Sequence, residues 1–392
     1  MKYFLIAGES SGDLHASLLI ESLHRLDAEA EFRFIGGDRM AVASGEEPLL
    51  HCREMNLMGF GAVARALPRI ASQLRLAKRA ISEYRPDRLI LVDYPSFNLM
   101  IAKYAHRLGV VTDYYISPKL WAWKTYRVKT FRKCIHRTYC IFPFEPAFYK
   151  SHGYKEAVYV GNPSVEEIDR FMAHISPLRH FLERSGISDE RPIIALLPGS
   201  RRSEIAANLP VMIEVAKRYP EFQYIVGAAP NIPEKFYRET AQDPGLKLVF
   251  GNSLTLAKYA RAAMVTSGTA TLETALVGTP QVVCYRANGK RWTYEAMRRI
   301  LKVRYVSLPN LIAGNNVVPE MLLHRCTPEQ VARQLSPLLQ PSPQRDWQLG
   351  GYKLMKRKLG TSDAATMAAE AIVDKAEGRG QRAEVISHRY LD

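Results

Sequence analysis

Four short stretches of this 392-residue chain combine residue types that do chemistry with the small residues that expose it. The first is A-G-E-S-S-G-D, residues 7–13, where Gly8 and Gly12 let a ligand approach the backbone and Ser10, Ser11 and Asp13 offer oxygens and a helix cap. The second is L-L-P-G-S-R-R-S-E-I, residues 196–205. Gly199 and Ser200 turn the chain there, a helix begins near Ser203, and its free N–H groups suit an anion. Arg201 adds a permanently charged, bidentate donor of the kind a diphosphate takes. The third is T-S-G-T-A-T-L-E, residues 266–273: Ser267, Gly268 and Thr269 can turn backbone N–H groups toward phosphate, and Glu273 can accept from the two hydroxyls of a ribose. The fourth is L-I-L-V-D-Y-P-S-F-N, residues 89–98, in which Asp93 follows an apolar run and Asn98 closes the segment. A carboxylate at the end of a buried strand costs free energy unless it is paired or used. Low water access would raise its pKa toward that of a useful base.

Each stretch also has a plain reading as a capped turn. Two anion-friendly turns in one half of the chain favour a nucleotide diphosphate site over two coincident caps. A further segment, S-P-K-L-W-A-W-K-T-Y-R at 117–127, sets Trp121 and Trp123 among Lys119, Lys124 and Arg127 and suits sugar rings, acyl chains or stacked bases. None of these loops reads G-x-G-x-x-G or G-x-x-x-x-G-K-[ST], so neither a dinucleotide fingerprint nor a P-loop is present. The five cysteines form no C-x-x-C pair, there is no zinc signature, and no metal or cofactor is expected.

Elements that would position these loops alternate along the chain. Strands are expected at 3–7, 32–35, 89–92, 110–116, 138–142 and 158–160, with helical patterns between them such as 13–26 and 70–84. Residues 163–191 read as polar and irregular. The alternation resumes with strands at 193–197, 222–226, 247–250, 264–266 and 281–285 and helices at 203–218, 254–262 and 270–277. This is the pattern of an α/β protein with two Rossmann-like, doubly wound domains, 1–170 and 185–340. A helical stretch at 345–376 could return to pack on the first domain. In such sheets ligands bind beyond the carboxyl ends of the strands, where all four loops fall.

Apolar residues at 47% and charged residues at 24% exclude a disordered chain, and no apolar run approaches the ~18 residues that span a bilayer. The N-terminal run is short for a secretory signal, so the reading is an unexported protein with reduced thiols in the cytoplasm. A net charge of +15 points to nucleic acid, anionic lipid or phosphorylated substrates, or to solubility alone. Residues 65–88 and 290–304 both interleave Arg and Lys with apolar residues, as interfacial helices do and as ordinary surface helices also can.

Taken in order, A-G-E-S-S-G-D, M-G at 58–59, D-Y-P-S-F-N, S-P-x-x-W-A-W-K-x-x-R, F-P-F-E at 142–145, G-N-P at 161–163, L-L-P-G-S-R, S-G-T-A-T-L-E, Y-V-S-L-P-N-L-I-A-G at 305–314 and V-P-E at 318–320 resemble the lipid-A-disaccharide synthase family over nearly the whole chain. The resemblance implies a GT-B fold, with two Rossmann-like domains facing a cleft. It implies an inverting transfer of a diacylglucosamine unit from UDP-2,3-diacylglucosamine to the 6-hydroxyl of 2,3-diacylglucosamine 1-phosphate (lipid X), releasing UDP, without a metal. By resemblance Asp93 is the general base, Arg201 with Gly199 and Ser200 neutralises the leaving UDP, and Ser267, Gly268 and Thr269 add phosphate contacts. Glu273 holds the ribose, and Asn310 lines the nucleotide-sugar cleft. Gly8, Glu9, Ser10 and Asp13 face that cleft from the first domain, and Asn98, Trp123 and Arg127 join the substrate-binding set. Peripheral attachment to the cytoplasmic face of the inner membrane is implied, and the oligomeric state, monomer or homodimer, is open.

Three positions depart from the family pattern: Ser96 for a second acid, Ala62 for a Glu, and Leu323 for a Gln. With Ser96 in place of an acid, Asp93 is expected to ionise more easily. The competing readings are another UDP-sugar enzyme of this fold, such as a UDP-N-acetylglucosamine 2-epimerase, a basic nucleic-acid-binding protein, and a non-catalytic membrane scaffold. No basic tail or nucleic-acid motif supports the second, and no nucleic-acid partner is expected.

Overall fold

The computed structural model describes residues 1–55, 63–286, 304–361 and 363–376. The M-G pair at 58–59, Ala62 and the cationic stretch from Lys290 to Lys302 lie outside the described residues. The chain divides into two compact units, one of Met1–Pro163 with the residues from Thr361 onward, the other of Ser164–Gly360.

The first unit is built on a six-stranded sheet of β1 (Lys2–Ala7), β2 (Glu31–Ile35), β3 (Arg88–Val92), β4 (Thr112–Tyr115), β5 (Arg137–Cys140) and β6 (Ala157–Tyr159), in the order β2-β1-β3-β4-β5-β6. All pairings are parallel. β1 and β3 are almost continuously apolar and buried, because helices cover both faces of a parallel sheet. One face packs Phe4, Ile6, Leu89 and Leu91 against Ile81, Ile101 and Phe131. The other packs Tyr3, Leu5, Ile90 and Val92 against Leu19, Ile20 and Leu23 of the helix Ser10–Leu26.

The second unit repeats the design with β7 (Ile193–Leu197), β8 (Gln223–Ala228), β9 (Leu248–Phe250), β10 (Ala260–Thr266), β11 (Gln281–Tyr285) and β12 (Glu320–Leu322), ordered β12-β11-β10-β7-β8-β9 and all parallel. In each sheet the strand order reverses at one place: between β1 and β3 in the first unit, and between β7 and β10 in the second. A crevice opens at such a reversal because the connecting helices leave to opposite faces.

Three local expectations differ from the structure. Residues 163–191 are not irregular: they hold the helices Pro163–Ala173 and Leu178–Arg184. Their polar surface, braced by Glu166–Arg170 at 2.7 Å and Arg179–Glu183 at 2.9 Å, hides a narrow apolar stripe of Val165, Ile168 and Phe181. β12 is three half-buried residues, too short for any periodicity to reveal. The stretch 345–376 divides: the helix Pro343–Leu359 stays with the second unit, while Ala364–Ala376 belongs to the first. That last helix lays Ala364, Ala368, Ala369, Ile372 and Val373 into the core beside Leu19 and Leu23. Arg25 donates to Thr366 Oγ1 at 3.1 Å across the same contact.

Candidate active site

The strand reversal in the first unit brings Asp93 to the first loop. Ala7 pairs with Val92, so the chain leaves β1 into Gly8–Glu9 beside the point where it leaves β3 into Asp93. Asp93 and Tyr94 both adopt left-handed backbone, with φ of 43° and 47°, before the helix Pro95–Arg107 begins. Each such residue costs on the order of 1–3 kcal/mol and persists only where its surroundings hold it. Here the Asp93 N–H donates to the Tyr115 carbonyl at 3.2 Å. The Asp93 carbonyl accepts from Asn98 Nδ2 at 2.8 Å and from the Tyr114 hydroxyl. Asn98 is fully buried, and its amide supplies the internal donor that a strand-end turn this tight needs.

The Asp93 carboxyl is pushed up to about 6, chiefly by burial and further by the carboxylate of Glu9, with Lys119 pulling the other way. The absence of an acid at 96 therefore does not leave Asp93 without a like-charged neighbour. The acid absent at 96 is replaced in effect by one from another loop.

Glu9 and Ser10 are exposed at the start of the helix Ser10–Leu26. Gly8 has a different reason to be glycine from the one expected. It is buried, and a Cβ there would collide with the ring of Tyr94. The Tyr94 hydroxyl in turn donates to the Met55 carbonyl at 3.0 Å. Asp13 is buried and bonds to neighbouring main chain. Its carboxylate accepts from the N–H groups of Gly37 at 2.7 Å, Met40 at 3.1 Å and Arg39 at 3.2 Å, capping the helix Asp38–Ser44.

Beyond β4 runs the 117–127 segment. Trp121 is buried, and Trp123 is exposed with Lys124 Nζ 3.9 Å from its ring centroid. Arg127 is half-buried and points Nη2 at Ser96 Oγ, 3.5 Å away. The segment is held by Glu145, the last residue of F-P-F-E, to which its sequence assigned no role. Glu145, fully buried, accepts from Ser117 Oγ at 3.0 Å, Trp121 Nε1 at 3.2 Å and the Phe142 N–H at 3.1 Å. Burial pushes its carboxyl up to about 7 against those donors.

In the second unit the reversal places the 198–204 turn after β7 beside the 267–273 turn after β10, with Leu197 paired to Val265. Gly199 takes φ of 117°, and Ser200 and Arg201 are exposed at the start of the helix Arg202–Ala216. Ser267 and Gly268 are half-buried and Thr269 is exposed at the start of the helix Thr269–Leu276. Glu273 is half-buried, and its carboxyl is raised by burial and by Glu167. Asn310 is turned into its own unit. It is fully buried, accepts from the N–H groups of Val317 at 2.7 Å and Val318 at 2.8 Å, and donates to Glu320 at 2.9 Å. Glu320 also accepts from Ser307 Oγ at 2.6 Å and the Ser307 N–H at 2.9 Å. The S-L-P-N and V-P-E motifs thus tie one loop to β12, and Leu323 leaves that tie intact.

Among the described residues no group of His, Cys, Asp and Glu could hold a metal ion, and no helix is long and apolar enough to cross a membrane. In solved structures the chain is similar to UDP-GlcNAc 2-epimerase from Neisseria meningitidis bound to UDP-GlcNAc, with a TM-score of 0.62, 13% identity and coverage of 96% of this chain and 100% of that one. A putative UDP-N-acetylglucosamine 2-epimerase from Listeria monocytogenes gives a TM-score of 0.63 at 12% identity, covering 96% and 97%. At that identity the likeness speaks for the GT-B fold alone. Sequence relatives are much nearer. The lipid-A-disaccharide synthase of Myxococcus xanthus is 41% identical over 95% of this chain and 97% of its own length. That of Acidobacterium capsulatum is 37% identical over 93% of each. The family profile described as lipid-A-disaccharide synthetase matches residues 3–372. With paired strand-end loops in two doubly wound units and relatives this similar along their whole length, the chain belongs to the lipid-A-disaccharide synthase family, the UDP-sugar-dependent glycosyltransferases of lipid A biosynthesis.

Proposed function

We propose that the chain condenses UDP-2,3-diacylglucosamine with lipid X, Asp93 serving as the general base. The 6-hydroxyl of lipid X attacks the anomeric carbon from the face opposite UDP. Its proton passes to the Asp93 carboxylate, the bond from the anomeric carbon to the phosphate oxygen breaks, and the β(1→6) disaccharide 1-phosphate forms with inversion. The observation that carries this reading is the state of Asp93: a partly buried carboxylate at the strand reversal, pushed up to about 6 and held by a rigid turn. A base is most effective when its proton affinity lies near the working pH.

The other residues take the roles that the family resemblance implies. Arg201, with the N–H groups around Gly199 and Ser200, takes the charge that develops on UDP, and Ser267, Gly268 and Thr269 add donors. Glu273 accepts from the ribose. Trp123 and Arg127 hold the acceptor, with Glu9 and Ser10 beside it. Gly8, Asp13 and Asn98 brace the loops of the first unit, and Asn310 braces one of the second.

Both substrates carry acyl chains, so peripheral contact with the cytoplasmic face of the inner membrane belongs to the same reading. The helix Val63–Tyr84 supports it, because Arg69, Arg75, Leu76 and Arg79 are exposed together. The test is to supply UDP-2,3-diacylglucosamine and lipid X singly and together. UDP release that needs both supports the transferase; release from the donor alone, or epimerisation of the UDP-sugar, overturns it.

A further inference from the structure

The donors assigned above to the leaving diphosphate already hold an anion. Glu204, in the first turn of the helix Arg202–Ala216, accepts through Oε2 from the Ser200 N–H at 3.1 Å and the Arg201 N–H at 3.3 Å. Its Oε1 accepts from Arg201 Nη1 at 2.8 Å. The loop is wrapped closely around this carboxylate: a Cβ on Gly199 would come within 2.7 Å of both Glu204 Cβ and Oε2.

We propose that Glu204 is an internal ligand of the 199–201 loop, filling the diphosphate's donors when nucleotide is absent and competing with it for them. The inference rests on the reading of that loop as the diphosphate site. Two anions cannot share one small set of donors without strong repulsion, so an arriving diphosphate must displace the carboxylate at least from the Arg201 guanidinium. That guanidinium has five N–H donors and can pass from one anion to the other without being left unpaired. The exchange keeps the loop formed in the empty site and loosens the hold on UDP, the product. A capping box with no further role would hold the helix start in the same way but would not oppose nucleotide.

Calorimetric titration with UDP separates the two. In Glu204→Gln the amide oxygen still accepts from the loop's N–H groups while the charge is gone. UDP should bind about two- to fivefold more tightly, the range that loss of an exposed ion pair corresponds to. The gain should shrink as salt is added. Glu204→Asp keeps the charge and should stay within about twofold of the parent. Unchanged or weaker binding by Glu204→Gln, or equal tightening by Glu204→Asp, overturns the proposal. Arg201→Ala tests the reading beneath it: lost UDP affinity there leaves the diphosphate site standing whatever Glu204 does, and parent-like affinity removes both. Melting curves of the three variants identify any that fail to fold, in which case Glu204→Ala takes the place of Glu204→Gln with the same expected tightening.

Discussion

The side-chain amide of Asn98 donates to the main-chain carbonyl of Asp93 at 2.8 Å and to that of Val92 at 3.2 Å. A buried side chain thereby holds the two carbonyls at the end of β3 while the chain passes through two left-handed residues. Asn98→Ala takes a donor from both carbonyls, leaving that of Asp93 with the Tyr114 hydroxyl alone, at about 1–3 kcal/mol. Because the turn it releases carries the base, kcat should fall while the affinity for UDP stays at the parent level. Urea denaturation and UDP titration together check this; equal losses of turnover and UDP affinity would count against it.

Asp93→Asn should abolish disaccharide formation, by at least about 10²-fold for loss of a general base, yet leave UDP binding intact. The same variant should be more stable than the parent at neutral pH. The folded-state carboxyl sits at about 6 against an ordinary 3.8, so between those values the folded form holds the extra proton and stability declines as pH rises. Asn removes a burden of about 2–3 kcal/mol above pH 6 and gains nothing below pH 3.8. Denaturation curves at pH 4 and pH 7.5 should differ in this way, and a variant less stable than the parent at pH 7.5 would contradict it.

A base must be ionised to act, so kcat/KM should rise with pH through about 6 and then level off. Glu9 contributes to that position as a like charge. Glu9→Gln should move the rising limb to lower pH, so that the variant keeps more of its own maximum activity at pH 5 than the parent does. A limb that stays in place would show that burial alone sets it.

Glu145→Ala strands three donors, Ser117 Oγ, Trp121 Nε1 and the Phe142 N–H, and should cost about 3 kcal/mol or more. Glu145→Gln keeps one oxygen for Ser117 and Trp121 and should be milder. In both, KM for the lipid acceptor should rise while KM for the UDP-sugar is unchanged, because the segment they loosen belongs to the first unit. A uniform loss for both substrates would reduce Glu145 to a residue of overall stability.

The alternation of strands and helices was legible because each buried strand, such as Ile193–Leu197, is a short apolar run bounded by turn residues. The helices of 163–184 were not legible, since a narrow apolar stripe is lost in a polar composition. Among the site residues, Asp93, Arg201 and Glu273 stand out by type and place. Asp13, Asn98 and Asn310 carry equally suggestive side chains, yet the carboxylate of Asp13, the Nδ2 of Asn98 and the amide of Asn310 bond within their own unit.

The two doubly wound units and the family were readable from the order of residues alone. Periodicity and loop composition are local, and they survive without knowledge of what packs where. Which loops meet within each unit depends on the reversals at β1–β3 and β7–β10, and through them Glu9 rather than a neighbour at 96 acts on Asp93. The tertiary structure also decided which polar groups are spent and which are presented. A buried donor or acceptor must find a partner, and that partner can lie far along the chain, where no local pattern points to it.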